Sequence, residues 1–235
     1  MLVDNDCNPW QKALECPWGL SILIKTPSTE ILFDTGPSPE ALKHNAEILG
    51  VNLSRINIVV ISHEHFDHIG GLSAVTSANP KVRVYVPRGM SSYALHYIES
   101  LTKNVVEVGS TTIISKGIAI VGPLYGPPYE EALLVNVCGF GGLLVVGCSH
   151  PGVTNFVKLV KKDLGINVTI VIGGFHLIGS PRPYVEEVVK NLLSLGVKFI
   201  TPIHCSGNEI RAVLEKRYPS NYISANVGTT LYVDP

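Results

Sequence analysis

The stretch of sequence that decides the fold is Ser62-His63-Glu64-His65-Phe66-Asp67-His68-Ile69-Gly70-Gly71. It follows an apolar run at 56–61 that predicts a buried strand, and it holds three of the eight histidines of the chain. Residues i and i+2 of an extended segment point to the same side, so His63 and His65 can bind one metal ion. The chain then turns toward the two glycines, where Asp67 and His68 present a carboxylate and an imidazole to a neighbouring position. The spacing therefore predicts two adjacent metal sites.

Strand and helix patterns around this stretch predict a first α/β half. Beta-rich runs at 20–25, 30–33 and 56–61 accompany a helical pattern at 39–49, which Gly50 ends in the manner of a C-cap glycine. Shorter β runs at 82–86 and within 105–121 follow, with a helix near 91–101 and a Pro/Gly loop at 122–128.

The second half repeats the strand-strand-helix-strand order. Its predicted strands are 133–137, 143–146, 168–172, 197–202 and 229–233, and its predicted helices are 153–164, 184–195 and 208–217. These apolar runs show little alternation, as in strands buried on both faces, so helices must cover both sides of the sheet system. Two similar α/β halves packed sheet to sheet, within one domain over residues 1–235, are the simplest architecture.

The composition excludes several classes of function. The 235 residues carry 18 basic and 19 acidic side chains, for a formal charge of -1, so the basic footprint of a nucleic-acid or anionic-membrane binder is absent. No apolar stretch reaches the roughly 18 residues that span a bilayer, and the N-terminus lacks the pattern of a secretory signal. We therefore expect a cytoplasmic protein that binds neither nucleic acid nor membranes.

The cysteines agree with that compartment. There are five, and none forms a Cys-x-x-Cys pair, so no disulfide framework is indicated. A bridge between Cys7 and Cys16 stays open. Cys138, inside an apolar strand pattern, is predicted to be a small buried hydrophobe.

Four further segments extend the histidine motif. They are Ile31-Leu32-Phe33-Asp34-Thr35-Gly36, Gly147-Cys148-Ser149-His150-Pro151-Gly152, Gly173-Gly174-Phe175-His176-Leu177 and Ile203-His204-Cys205-Ser206-Gly207. With them the chain resembles the metallo-β-lactamase superfamily over nearly its whole length. Within it, the chain resembles the branch named for the dihydropterin-ribofuranosylaminobenzene 5'-phosphate synthase of methanopterin biosynthesis. The resemblance implies a four-layer αββα sandwich and a metal-dependent hydrolase or transferase.

The resemblance also implies a set of ligands for two divalent ions. The set comprises His63, His65, Asp67, His68, His150 and His204. The first two residues and one later histidine bind one ion, and Asp67, His68 and the last histidine bind the other.

Two positions depart from the superfamily pattern. Where the usual third histidine would precede a strand, the chain offers only Glu130 and Glu131, so His150 is the substitute ligand. Cys148 stands where a bridging aspartate is expected. It either takes the bridging place as a thiolate or packs into the sheet.

Asp67 and His176 are the predicted catalytic residues. His176 ends a strand between those that lead to His150 and His204, and the carboxyl ends of parallel strands share the rim at which open α/β sheets bind ligands. We therefore expect His176 to face the metal cleft as an acid, a base or a phosphate ligand, with a structural role as the alternative. The resemblance favours Asp34 as a residue that orients a metal-binding histidine.

Hydrolysis is the default chemistry of such a site. Two adjacent divalent ions lower the pKa of bound water toward about 7 and clamp the attacking and leaving oxygens of an acyl or phosphoryl displacement. A synthase that displaces pyrophosphate from a pterin methyl carbon can use the same ions. Imidazole-rich ligation favours zinc, although manganese and iron accept the same ligands. The expected substrate is a small phosphorylated or ester-like molecule.

The sequence leaves two other functions open. One is a diiron redox enzyme or oxygen sensor of the same fold, whose motif carries Glu where this chain has His65. The other is a noncatalytic metal-binding module, because the bridging aspartate is missing.

Overall fold

Each of the two units of the chain is built on one β-sheet. The computed structural model describes residues 1–233. The first unit comprises Met1–Gly109 and Asn226–Thr230, and the second comprises Ser110–Ala225 and, among the described residues, 231–233. The described residues form one sheet of five strands and one of six.

The first unit carries the five-stranded sheet and four α-helices. Its strands are β1 (Ile22–Lys25), β2 (Glu30–Phe33), β3 (Ile58–Val60), β4 (Arg83–Pro87) and β5 (Val105–Val108), and its helices are α1 (Pro39–Ile48), α2 (Phe66–Ile69), α3 (Leu72–Ala78) and α4 (Ser92–Leu101). The strands lie in chain order, with β1 antiparallel to β2 and every later pair parallel. The carboxyl ends of β2, β3 and β4 therefore meet at one edge, where the 62–71 stretch begins.

Apolar side chains explain why this sheet is parallel and covered. Ile31, Leu32 and Phe33 of β2 have no exposed surface, nor do Val59 and Val60 of β3. Strands that are apolar on both faces need cover on both faces, which is the setting of parallel sheets. The core that results includes Leu42, Ile56, Leu72, Val84 and Ile98.

The second unit carries the six-stranded sheet. Its strands are β6 (Thr112–Ser115), β7 (Ile118–Tyr125), β8 (Tyr129–Val137), β9 (Gly141–Val146), β10 (Val168–Gly173) and β11 (Phe199–Pro202), and its helices are α5 (Val153–Leu164), α6 (Arg182–Ser194) and α7 (Gly207–Arg217). The order is β11-β10-β9-β8-β7-β6. Strands β6 to β9 pair antiparallel, whereas β9, β10 and β11 are parallel. The loops after β9, β10 and β11 therefore leave the sheet at the same edge.

The predicted α/β class and most predicted elements are confirmed. The helix at 153–164 has the predicted bounds, and Gly165 ends it in the left-handed conformation. The strand expected at 133–137 begins earlier, at Tyr129, so Glu130 belongs to the sheet. The two short helices α2 and α3 were not predicted. No helix within residues 1–233 is long and apolar enough to cross a membrane.

The strand predicted at 229–233 is wrong, because those residues form no strand. The edge of β11 instead pairs with the chain at Tyr222, and the N–H of Ile223 donates to Ile200 O at 3.1 Å. Thr229 bonds locally to Asn226 through its hydroxyl. The apolar and β-branched residues at 229–233 therefore have no free strand of the sheet with which to pair.

The cysteines differ from the sequence prediction at one position. Cys138 is exposed, because β8 ends at Val137 and the residue falls in the turn before β9. Cys7 and Cys16 form a disulfide with their Cα atoms 5.2 Å apart, which was one of the open alternatives. The cytoplasmic location stays a prediction.

Candidate metal centre

His63 and His65 lie together in the loop that follows β3. His63 is buried and His65 is exposed, and their facing nitrogens, Nε2 of His63 and Nδ1 of His65, are 3.1 Å apart. The extended backbone after a buried strand brings the two rings to one side, as the i, i+2 spacing predicted.

Asp67 and His68 follow on the single turn of α2, whose N-cap is His65. Oδ2 of Asp67 is 3.6 Å from Nε2 of His68, and the rings of His63 and His68 are 4.1 Å apart between centroids. The four predicted ligands of the first unit are thus brought together by one strand end and one helical turn.

Asp34 supports these histidines from the end of β2. It is fully buried, and its Oδ2 accepts from Nδ1 of His68 at 2.6 Å and from the hydroxyl of Ser62 at 2.7 Å. Because that hydroxyl donates to Asp34, it accepts from Nδ1 of His63, at 2.8 Å. Burial raises the pKa of Asp34, and the charge and hydrogen bond of His68 oppose the rise. The predicted supporting contact is therefore present.

The donor atoms of the first unit have the spacing that metal ligation requires. Two ligands about 2.0–2.1 Å from a tetrahedral zinc ion lie about 3.3 Å from each other. The His63–His65 separation of 3.1 Å and the Asp67–His68 separation of 3.6 Å lie within a few tenths of an ångström of that value. Asp34 holds Nδ1 of His68, so Nε2 is the nitrogen with which His68 would bind a metal. The residues present therefore fit a divalent ion at each pair.

Glu64, between the two histidines, takes a different direction. Its carboxylate accepts from the N–H of Ser91, the N-cap of α4. This contact ties the loop after β3 to the start of a helix and leaves Glu64 out of the cluster.

In the second unit, Glu130 organises the loop after β9. Its side chain is fully buried. Oε1 accepts the backbone N–H groups of Cys148 and Ser149, at 2.8 and 2.7 Å. Oε2 accepts the N–H of His150 and Nδ1 of the same ring, both at 2.8 Å. Nδ1 is thereby fixed, and Nε2 becomes the nitrogen with which His150 would bind a metal.

The role of Glu130 was missed by sequence reasoning. The sequence shows it only as an acid where the superfamily has another residue, and its partners lie 18 to 20 positions further on. The available signal was an acid at the start of a strongly apolar strand. Such an acid is expected to be buried, and a buried carboxylate needs hydrogen-bond donors around it.

His176 and Cys205 form a second cluster with Cys148. One ligand atom from each of the three lies within 4.8 Å of the others. The hydrogen bond with the Cys148 side chain lowers the pKa of Cys205 to about 5, against the effect of burial and with support from His176. The hydrogen bond with Cys205 raises the pKa of His176. These shifts favour a thiolate beside an imidazolium.

His176 also stands beside the predicted ligand His150, with ring centroids 4.6 Å apart. His204 is buried in the turn His204–Ser206 that follows β11. The structure thus places His150, His176 and His204 after three neighbouring parallel strands, as the sequence predicted.

Left-handed backbone marks the loops of both clusters. Asp34, Ser149, His176 and His204 have φ between 51° and 60°, a region that few residues other than glycine adopt. Each follows a strand end, and such strain is retained where the surroundings enforce it, often at functional sites.

The comparison with protein families gives a match to the family described as Metallo-beta-lactamase superfamily, over residues 19–157. The matched span contains the 62–71 stretch and the loop after β9.

Two proteins of Methanocaldococcus jannaschii are similar to this chain. One is the 7,8-dihydropterin-6-methyl-4-(beta-D-ribofuranosyl)-aminobenzene-5'-phosphate synthase, at 29% identity over 89% of this chain and 88% of the relative. The other is an uncharacterised protein, at 29% identity over 97% of both chains.

Solved structures show the same fold. A metal-dependent hydrolase of the beta-lactamase superfamily superposes with a TM-score of 0.81 at 24% identity, covering 100% of this chain and 98% of that one. A diphosphatase of the PhnP family superposes with a TM-score of 0.61 at 13% identity, covering 92% of this chain and 85% of that one. The fold class predicted from the sequence is therefore confirmed.

Proposed function

The chain belongs to the metallo-beta-lactamase superfamily, and from that premise we propose that it is an enzyme that uses two divalent metal ions. The proposed activity is hydrolysis or group transfer on a small phosphorylated or ester-like molecule. Its most specific form is the reaction in the name of the Methanocaldococcus jannaschii relative, synthesis of the dihydropterin-ribofuranosylaminobenzene 5'-phosphate.

One observation carries this proposal: a buried carboxylate holds Nδ1 of a predicted ligand histidine in each unit. Asp34 holds His68 at 2.6 Å, and Glu130 holds His150 at 2.8 Å. A carboxylate on the second nitrogen is the usual support of a metal-binding imidazole, because it fixes the ring and increases its basicity. A histidine buried for packing alone does not need a fully buried acid as its partner.

We propose the ligand set expected from the sequence, with zinc as the ion and manganese or iron as alternatives. The set is His63, His65, Asp67, His68, His150 and His204. When bound, such ions supply Lewis-acid activation of water and neutralise charge on acyl or phosphoryl oxygens.

The protein's own groups supply proton transfer and charge. The raised pKa of His176 favours its imidazolium, which can donate a proton to a departing oxygen or bind a phosphate oxygen. Asp67, one-fifth exposed at its side chain, can orient the attacking group. Both are the catalytic residues expected from the sequence.

The test combines metal content with turnover. Purified protein supplemented with zinc, manganese or iron should retain about one to two equivalents of metal by elemental analysis. It should hydrolyse a bis-nitrophenyl phosphodiester, or join a dihydropterin pyrophosphate to a ribofuranosylaminobenzene phosphate with release of pyrophosphate. Mass spectrometry of the products separates the two reactions.

A pair of histidine variants provides the control. His68→Ala should lower both metal content and turnover, whereas His96→Ala, at an exposed position of α4, should leave both unchanged. Less than about a tenth of an equivalent after supplementation would contradict the metal assignment. Full metal content without either activity would favour the noncatalytic module, and oxygen uptake by the iron-loaded protein above a free-iron control would favour the redox alternative.

A further inference from the structure

Three donors suited to a soft metal converge in the second unit. Cys148, His176 and Cys205 lie in the loops after β9, β10 and β11, which are neighbouring parallel strands. Their Sγ and imidazole nitrogen atoms are all within 4.8 Å of one another. The convergence follows from the topology, because the carboxyl ends of parallel strands share one edge.

The backbone around these donors is built for close approach. Gly174 N donates to Gly147 O at 2.8 Å, which joins the loops after β10 and β9. Leu177 N donates to Cys205 O at 3.1 Å, which joins the loops after β10 and β11. A Cβ on Gly174 would stand 2.6 Å from Sγ of Cys205, so only glycine at this position admits the thiol.

The donors differ in exposure. Cys148 is 4% exposed and Cys205 is 5% exposed, while His176 is exposed. The two sulfur atoms thus form the closed side of the cluster, and the imidazole forms the side from which an ion can arrive.

Two sulfur ligands and one imidazole select a particular class of cation. Thiolates favour zinc and other soft or borderline ions over magnesium, calcium or manganese. Two sulfur ligands about 2.3 Å from a tetrahedral zinc ion lie about 3.8 Å apart. The ligand atoms of the three residues are at most 4.8 Å apart, so they would need to move by about 1 Å or less to reach the spacing of a zinc site.

We propose that Cys148, His176 and Cys205 form a zinc-type metal site with its fourth position open. Binding would release two protons to solvent, one from the Cys148 thiol and one from the Cys205–His176 pair, as the two sulfurs and the neutral imidazole ligate. The ligand set joins His176 and Cys205 to Cys148, the residue that the sequence also offers as a bridging thiolate of the histidine-rich site. In this site His176 is a ligand, which is an alternative to its role in proton transfer.

Cobalt provides the test, because thiolate ligands give cobalt(II) an intense near-ultraviolet charge-transfer absorption that imidazole and carboxylate ligands do not. Full-length protein should be titrated with cobalt under anaerobic, reducing conditions. The wild type should develop the band, and Cys148→Ser and Cys205→Ser should each lose about half of it or more.

Three controls separate this site from other thiols and other metals. Cys138→Ser removes the exposed thiol, and the double variant Cys7→Ser/Cys16→Ser removes the remaining pair. Both should keep the band, as should His63→Ala. Loss of the band in His63→Ala would assign the thiolate to the histidine-rich ligand set and overturn the proposal.

A measurement on the wild type covers the case in which a cysteine variant does not fold. X-ray absorption of the zinc-loaded protein should show sulfur scatterers about 2.3 Å from the metal. A shell of only nitrogen and oxygen, or a cobalt-loaded wild type without the near-ultraviolet band, would refute the thiolate site. Neither result would affect the proposed hydrolase or transferase activity, which rests on the other ligands.

Discussion

At the scale of single residues, Glu130 fixes the backbone of the loop after β9. Four hydrogen bonds from residues 148–150 end on its two oxygens. Three consecutive backbone N–H groups and one ring nitrogen thus share a single carboxylate, which satisfies their hydrogen-bonding requirement in a buried position. The position of His150 therefore depends on a residue in a different strand.

Replacing Glu130 with glutamine should destabilise the protein by about 1–3 kcal/mol. One amide oxygen can still accept from Cys148 and Ser149, but the NH2 group would face the N–H of His150, which leaves buried donors without an acceptor. The free energy of unfolding from urea titration of metal-free protein measures the effect.

Glu107→Gln is the matched control, because it makes the same chemical change at an exposed position of β5. It should change stability by less than about 0.5 kcal/mol. Equal stabilities for the two variants would show that the Glu130 contacts do not hold the loop.

Residues of the site were predictable to the extent that their signal is local. His63, His65, Asp67 and His68 lie within six positions, so spacing alone groups them. Asp34 is 34 positions from His68, and only the family resemblance linked the two. Glu130 carried no such cue, since its partners are defined by strand pairing between β8 and β9.

At the scale of elements, long apolar strands and capped helices were predictable and short ones were not. The helix at 153–164 combines a strong apolar periodicity with a terminal glycine, so its bounds followed directly. Helix α2 has only four residues, which is too short for a periodic pattern, and two glycines separate it from α3. Glycine usually weakens a helix, so the sequence favoured a turn there.

Those two glycines permit a close contact that positions His68. A Cβ on Gly70 would lie 2.1 Å from Pro37 O, and one on Gly71 would lie 2.0 Å from Thr35 O. Thr35 N in turn donates to His68 O at 2.7 Å. The loop after β2 therefore packs directly on the backbone of α2.

Gly71→Ala should lower the free energy of unfolding by about 1–3 kcal/mol, because the new methyl group meets a backbone carbonyl that cannot rotate away. Gly71 already has right-handed backbone angles, so the cost is steric. Chemical denaturation provides the measurement.

Ser73→Ala, two residues further along in α3, serves as the comparison. It removes a hydroxyl without adding volume and should change stability by less than about 0.5 kcal/mol. If Gly71→Ala were as stable as Ser73→Ala, the loop after β2 would be able to move away from the new methyl group without lowering the free energy of unfolding.

At the scale of the whole molecule, the path of the chain bears on the number of folding units. The first unit takes its last segment from Asn226–Thr230, after the chain has built the second. Neither unit is thus one continuous stretch of sequence. The single domain over residues 1–235 that the sequence predicts stays a prediction, which unfolding experiments can test.

A single domain should unfold in one transition. Both tryptophans, Trp10 and Trp18, lie in the first unit, so tryptophan fluorescence reports on that unit alone while far-ultraviolet circular dichroism reports on both. The two signals should give the same midpoint in urea. A phase seen by circular dichroism and absent from fluorescence would divide the chain into two domains.

The position of Cys138 has a practical consequence for labelling. Its thiol is exposed in the turn after β8, whereas the other two free cysteines are buried and Cys7 is bonded to Cys16. A maleimide dye added to the native protein should therefore attach at one position, giving a single-site fluorescent reporter without mutagenesis. In air the same thiol can form a disulfide between two molecules. A dimer seen by gel filtration without reductant should therefore be attributed to that disulfide unless it persists when reductant is added.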